Sequence, residues 1–173
     1  VTPHEVRHPV EEAFALRIEA TEKLYGEVTT SVLTYSGDTD SCDGLVEAAR
    51  DSDLFLCEAA FQEGRDDAID GVHLTGKRAG EAARQAGVAR MLLTHIPVWT
   101  DESVVLEEAR AEYDGELAVA VSGVTYGVRS GNRLDDPKTS SMSRIPISLE
   151  HALRRAGGLR DQVLGDGTQV PAE

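Results

Sequence analysis

Cysteine is scarce: Cys42 and Cys57 are the only two in 173 residues. Two thiols make neither a disulfide framework nor a zinc-knuckle spacing, and they fit a reducing setting. No apolar run approaches the ~18 residues that a membrane helix needs, and no signal peptide is visible, so a soluble cytoplasmic protein is expected. Aromatic residues make up 5% of the chain, which leaves Ala, Val and Leu to fill most of a core. A basic surface is missing too. The formal net charge is −14, which argues against a general nucleic-acid-binding surface. That deficit does not exclude chemistry on phosphates, because a bound dication inverts the local field. An initiating methionine is absent as well, and Val1 in its place points to a fragment or an alternative start codon. There is no internal repeat.

What remains fits one domain with an appendage. From Ala13 to Val128 strand-like and helix-like segments alternate. Ala13–Glu19 and Val28–Tyr35 read as a hairpin across a polar, glycine-containing turn. Asp40 with Asp43 three residues on reads as a helix N-cap, opening a helix through Leu45, Val46 and Ala49. Asp53–Ala59 is apolar enough to be a buried strand. Thr75 caps the next helix, whose Ala79, Ala82, Ala83 and Ala86 form a close-packing face ending at Gly87. Arg90–Leu93 reads as a further buried strand, Asp101 opens an acidic helix to about Tyr113, and Leu117–Val121 and Val124–Val128 read as two short strands. Such alternation predicts an α/β layered fold with ligands in the loops after the strands.

The texture changes after Val128. Residues 1–128 carry ten Lys/Arg against twenty-five Asp/Glu, and residues 129–173 carry seven against six, so the acidic excess belongs to the first segment. Arg129–Arg144 reads as a linker. Ser148 could cap one short helix through Leu149, Ala152, Leu153 and Ala156, and the rest of the tail reads as irregular. The expected division is a domain over 1–128 and a linker and tail over 129–173.

Four phrases recur in order: Arg7-His8-Pro9, Ser36-Gly37-Asp38-Thr39, His73-Leu74-Thr75 and Leu93-Thr94-His95. Each sets a His or Asp at the edge of an apolar run or in the loop after it. His4 lies near the first of them, and His151 alone stands apart. Imidazole nitrogen and carboxylate oxygen are the ligands that hold zinc or manganese. A carboxylate placed like Asp38 can bridge two cations about 3.5–4 Å apart, although an Asx-turn capping the next helix is the plainer reading. A two-metal site needs roughly six or seven ligand groups. These phrases supply about half. Cys57, in a buried strand, and Cys42, in a first helical turn, read as structural.

Taken together, Val6-Arg7-His8-Pro9-Val10-Glu11-Glu12-Ala13-Phe14-Ala15-Leu16-Arg17-Ile18, Tyr35-Ser36-Gly37-Asp38-Thr39, His73-Leu74-Thr75 and Leu93-Thr94-His95 resemble the metallo-β-lactamase superfamily. The closest likeness is to its ribonuclease Z-like phosphodiesterase branch, which includes bacterial relatives that hydrolyse cyclic nucleotides. The resemblance covers about residues 4–128 and implies the C-terminal half of an αββα sandwich, followed by a mostly irregular tail. It implies that His8, Asp38 and His95 are metal ligands, with Asp38 bridging. It implies that His73 contacts the scissile phosphate or protonates the leaving oxygen, with Glu58 in a shell around it. The implied cofactor is a pair of divalent metals, zinc or alternatively manganese. The implied substrate is a phosphodiester, either a cyclic nucleotide or an RNA 3′ end. The family's His-x-His-x-Asp-His phrase does not occur in this sequence. A half-domain of this kind should expose an apolar sheet face, to be met by a complementing N-terminal half or by a second copy in a homodimer. Two readings stay open: a metal-dependent phosphodiester hydrolase of which this is an incomplete part, and a non-catalytic half-domain that binds a partner or is an unstable fragment.

Overall fold

The computed structural model describes residues 1–66 and 68–130. Among the described residues six strands form one sheet in chain order, with β2 (Phe14–Leu24) antiparallel to both of its neighbours, β1 (Thr2–Glu5) and β3 (Glu27–Tyr35). From β3 onward the pairing is parallel through β4 (Leu54–Glu58), β5 (Arg90–Thr94) and β6 (Glu116–Val119). Parallel neighbours need crossovers, which α1 (Asp43–Ala49), α2 (Gly76–Ala86) and α3 (Glu102–Glu112) supply. The result is the mixed α/β architecture expected from the alternation.

The β2–β3 hairpin is longer than its hydrophobic pattern indicates. Its turn is Tyr25-Gly26, both at positive φ (51° and 91°), which matches the twist of a two-residue hairpin connection. Beyond Glu19 the arm is polar and largely exposed on both faces, so alternation does not mark it, yet the ladder continues to Leu24–Glu27.

Cα partners across the sheet share a face. Thr34, Phe55, Met91 and Leu117 line up in register and turn toward the helices. Phe55, Met91 and Leu117 pack there with Leu45, Ala48, Ala79, Ala83, Val105 and Ala109 in one core. The opposite row runs Leu16, Tyr35, Leu56, Leu92 and Ala118. Phe14, Leu16 and Tyr35 are exposed at its β2–β3 end, whereas Leu92 is buried. The expected apolar face is thus open in part.

Small residues decide how closely α2 and α3 approach. A Cβ on Gly80 would lie 2.6 Å from the Ala109 carbonyl oxygen, and one on Gly76 would lie 2.1 Å from that of Val105. From α3, Glu108 reaches back to the first turn of α2 and also accepts the Glu63 amide at 3.1 Å. Gly80→Ala would gain up to ~1 kcal/mol of helix propensity. The clash is with backbone, so overpacking at ~1–3 kcal/mol should win. The expected result is a lower thermal midpoint, measured by circular dichroism; a higher midpoint would mean that the helices can separate freely.

Three local expectations need correction. Asp40 is not the cap of α1: Cys42 occupies the N-cap position without a side-chain cap bond. Asp40 is instead buried in an ion pair, which holds its carboxylate away from the helix end. His8 does not stand at the edge of a strand; it lies in the connection between β1 and β2, where Pro9 interrupts strand pairing. Val124–Val128 is not a strand. There the chain turns back after β6, with the Val124 amide donating to the Val121 carbonyl and the Tyr126 hydroxyl accepting the Val121 amide at 2.9 Å. The strand β1 is not marked by the apolar pattern, and β2 runs five residues past its expected end. The other elements stand within a residue or two of their expected bounds, including the Thr75 and Asp101 caps and the left-handed Gly87 end of α2. Most of the linker and the whole short tail helix expected after Val128 lie outside the described residues.

Candidate metal centre

The parallel strands deliver their C-terminal ends to one edge of the sheet, where an α/β fold places its ligands. Asp38 follows β3 by three residues, Glu58 is the last residue of β4, and His95 directly follows β5. His73 sits two residues before the Thr75 cap of α2. Gly37 makes the first of these placements feasible. Its φ is 62°, and a Cβ there would lie 2.6 Å from the Phe14 carbonyl oxygen, so the loop crosses the start of β2 at backbone distance.

Asp38, His73 and His95 each offer a ligand atom, and these atoms all lie within 4.8 Å of one another. His95 Nδ1 lies 3.0 Å from Asp38 Oδ1, and both side chains are nearly half exposed. The His95 backbone is left-handed, with φ of 58°, a conformation that costs a non-glycine residue of order 1–3 kcal/mol. His8 stands behind this group, its ring 5.4 Å from that of His73. Its Nδ1 donates to the Val72 carbonyl at 2.7 Å, which leaves Nε2 with a free lone pair. The structure therefore brings Asp38 and His95, two of the three expected ligands, together with His73, expected to act on the phosphate, while the third expected ligand, His8, lies outside that close group with its ring beside His73.

Glu58 is fully buried beneath His73. Its carboxylate accepts the Thr39 amide at 2.8 Å, the Ala60 amide at 3.1 Å and His73 Nδ1 at 2.7 Å. Burial pushes the Glu58 carboxyl above the usual range, and the Thr39 amide and His73 pull it partway back. The Glu58 contact fixes the His73 tautomer with Nδ1–H toward the carboxylate, so Nε2 faces the open side. Phe61 packs edge-on against the same ring, with centroids 5.0 Å apart. The imidazole is thus held from two directions.

Sequence reasoning missed Asp40 and Arg78. The Asp40 carboxylate accepts the Gly71 amide at 2.7 Å and Arg78 Nη1 at 3.0 Å, while the Asp40 amide donates to the Arg7 carbonyl at 2.8 Å. One buried acid therefore ties together the loops that carry His8, Asp38 and His73. The signal was the second Asp of Ser36-Gly37-Asp38-Thr39-Asp40, which local pattern assigns to a cap. A concave space of about 240 Å³ lies between α1 and α2 beside Cys42 and Arg78. The histidine edge is open rather than enclosed. A nitrogen–oxygen donor set with outer nitrogens already bonded suits a borderline divalent metal such as zinc.

No protein-family model matches the chain. An uncharacterized protein of Mycobacterium leprae is 44% identical over 134 residues, spanning 78% of this chain and 44% of the relative. Ribonuclease Z of Myxococcus xanthus is 42% identical over 96 residues, 54% of this chain and 31% of that protein. Among solved structures, the metallo-β-lactamase fold protein YhfI from Bacillus subtilis superposes with a TM-score of 0.61 at 26% identity, covering 73% of this chain and 48% of that one. A long form RNase Z from yeast shares the fold with a TM-score of 0.50 at 24% identity, over 56% of this chain and 13% of that one. The chain spans less than half the length of each of these proteins. Ribonuclease Z relatives at 36–42% identity over about half of this chain and a solved fold neighbour agree on one assignment: the chain belongs to the metallo-β-lactamase superfamily, in its ribonuclease Z-like branch, and carries part of that fold.

Proposed function

We propose that these residues form the C-terminal share of a metal-dependent phosphodiester hydrolase site. The observation that carries this reading is the convergence of Asp38, His73 and His95 within 4.8 Å, with His8 behind them. His8, Asp38 and His95 would hold the metal, zinc or alternatively manganese. Bound divalent cations supply Lewis acidity and an activated water. The chain's own part is to orient and to move a proton. His73, held by Glu58 on Nδ1, presents Nε2 to the open edge and donates its proton to the departing oxygen. Glu58 stabilises the imidazolium that this role requires, and Phe61 keeps the ring from turning.

The substrate class is a phosphodiester, with a small nucleotide favoured slightly over an RNA 3′ end by the acidic charge and the lack of a basic arm. Two free thiols fit a cytoplasmic setting, and no helix among the described residues is long and apolar enough to cross a membrane. The missing ligands would come from a complementing N-terminal half or from a second copy of the chain. A non-catalytic half-domain that binds a partner is the second reading, favoured by the apolar sheet face left open at Phe14, Leu16 and Tyr35.

Elemental mass spectrometry and phosphodiester turnover test the two together. About two metals per chain with turnover would support the hydrolase; no tightly bound metal and no turnover would leave the half-domain. His73→Ala is expected to slow turnover by ~10²–10⁴-fold with metal content nearly intact. Metal lost along with rate would make His73 a ligand instead.

A further inference from the structure

The chain's single tryptophan stands in water beside the site. Trp99 is 78% exposed and its neighbour Val98 is 98% exposed. Both lie in the loop that leaves His95, and Trp99 is four residues on, so its Cα lies within about 14 Å of that of His95. The loop is not slack. The Thr100 amide donates to the Pro97 carbonyl at 2.9 Å, closing a turn with Val98 and Trp99 at its tip. Ile96 packs against the core on one side of that turn. Thr100 is buried on the other, its hydroxyl accepting from Arg65 at 3.1 Å. Asp101 then caps α3, accepting the Ser103 amide at 2.9 Å. Folding therefore fixes this turn firmly while gaining almost no apolar burial from its two largest side chains. The exposed Phe14, Leu16 and Tyr35 differ, because they belong to a sheet face. Trp99 belongs to the loop that leaves His95, after the strand end that carries this histidine to the site.

Resting on the phosphodiesterase reading above, we infer that Trp99 is a stacking platform for the base of a nucleoside phosphodiester whose phosphate lies at the Asp38–His73–His95 group. The base of such a substrate stands one sugar away from its phosphate, a span suited to a neighbouring loop. Stacking needs no positive charge, so a strongly acidic chain can hold a nucleotide this way without a basic arm. Val98 would widen the same apolar surface. Because every base has a π-face, the platform selects for a nucleoside and not for one base.

The test compares two esters with the same leaving group, thymidine 5′-(p-nitrophenyl phosphate) and methyl p-nitrophenyl phosphate, on the zinc-loaded protein. Trp99→Ala should lower the ratio of their kcat/KM values by about tenfold or more, chiefly through KM for the nucleoside ester. Trp99→Phe should restore most of it. A ratio that stays within about twofold while both esters turn over would overturn the platform and leave the hydrolase reading intact. If the unaltered protein turns over neither ester, that reading fails by itself, and tryptophan fluorescence then decides on stacking. Quenching by adenosine 5′-monophosphate but not by ribose 5-phosphate would support the platform. No quenching, or equal quenching by both, would remove it.

Discussion

Zinc titrated into the Asp38→Ala protein should bind at least ~100-fold more weakly than to the unaltered protein, and His95→Ala should do the same. The lower bound comes from outer partners of metal ligands, whose loss already costs ~10–100-fold in affinity or activity. Removing a donor atom itself must cost more. Asp38 and His95 already lie 3.0 Å apart, so a cation would replace their mutual contact and needs no rearrangement of the strands that carry them. His8→Ala should weaken binding less on this chain, since its ring is the outlying member of the group. Competition against a chromophoric chelator reads all three. Equal affinity in Asp38→Ala and the unaltered protein would take Asp38 out of the ligand set, and phosphodiester turnover should fall in parallel with metal affinity.

The second large effect belongs to Glu58. Glu58→Ala strands two buried amides, those of Thr39 and Ala60, and frees His73. Each orphaned buried donor costs ~1–3 kcal/mol. Removing one partner of a buried pair costs ~3–5 kcal/mol, which would lower the thermal midpoint by about 10 °C in a chain of this size. A midpoint within about two degrees of the unaltered protein would show that water replaces the carboxylate. Glu58→Gln separates charge from packing. Burial raises the Glu58 carboxyl in the fold. Its contribution to stability is therefore fully present below the unfolded value of about 4.3 and is lost as pH rises through the higher folded value. Glutamine does not titrate. The deficit of Glu58→Gln against the unaltered protein should be largest in acid and shrink toward neutrality, as followed by denaturant titration at several pH values. A deficit that grows toward neutral pH would mean that the His73 contact outweighs burial.

Gly80→Ala and Glu58→Ala test different layers of the same design. The first perturbs helix packing far from the histidines, and the second perturbs the support beneath them. If both lower stability but only Glu58→Ala alters turnover, the site depends on local support more than on overall stability.

Much of this molecule could be read from order and period alone. Near-continuous apolar runs at Leu54–Glu58 and Arg90–Thr94 mark parallel strands because such strands are covered on both faces. Thr75, Gly87 and Asp101 mark helix ends because unpaired backbone groups there need local partners. His8, Asp38, His73 and His95 stand out because few residue types hold metals. Other features depend on residues distant in sequence and have no local period. The hairpin arm past Glu19 is held by backbone pairing, which polar side chains do not announce. Asp40 reads as a cap until Arg78, thirty-eight residues on, reaches it. Val124–Val128 has the apolar content of a strand but no ladder partner. The choice of His73 over His8 as the near neighbour of Asp38 and His95 was set only when β3, β4 and β5 came into register. The sequence by itself determined which chemistry-bearing residues were present and which elements carried them, since both follow from side-chain type and spacing. Only the tertiary structure decided which of them met, because contacts between loops arise from sheet order and helix packing, and neither is local.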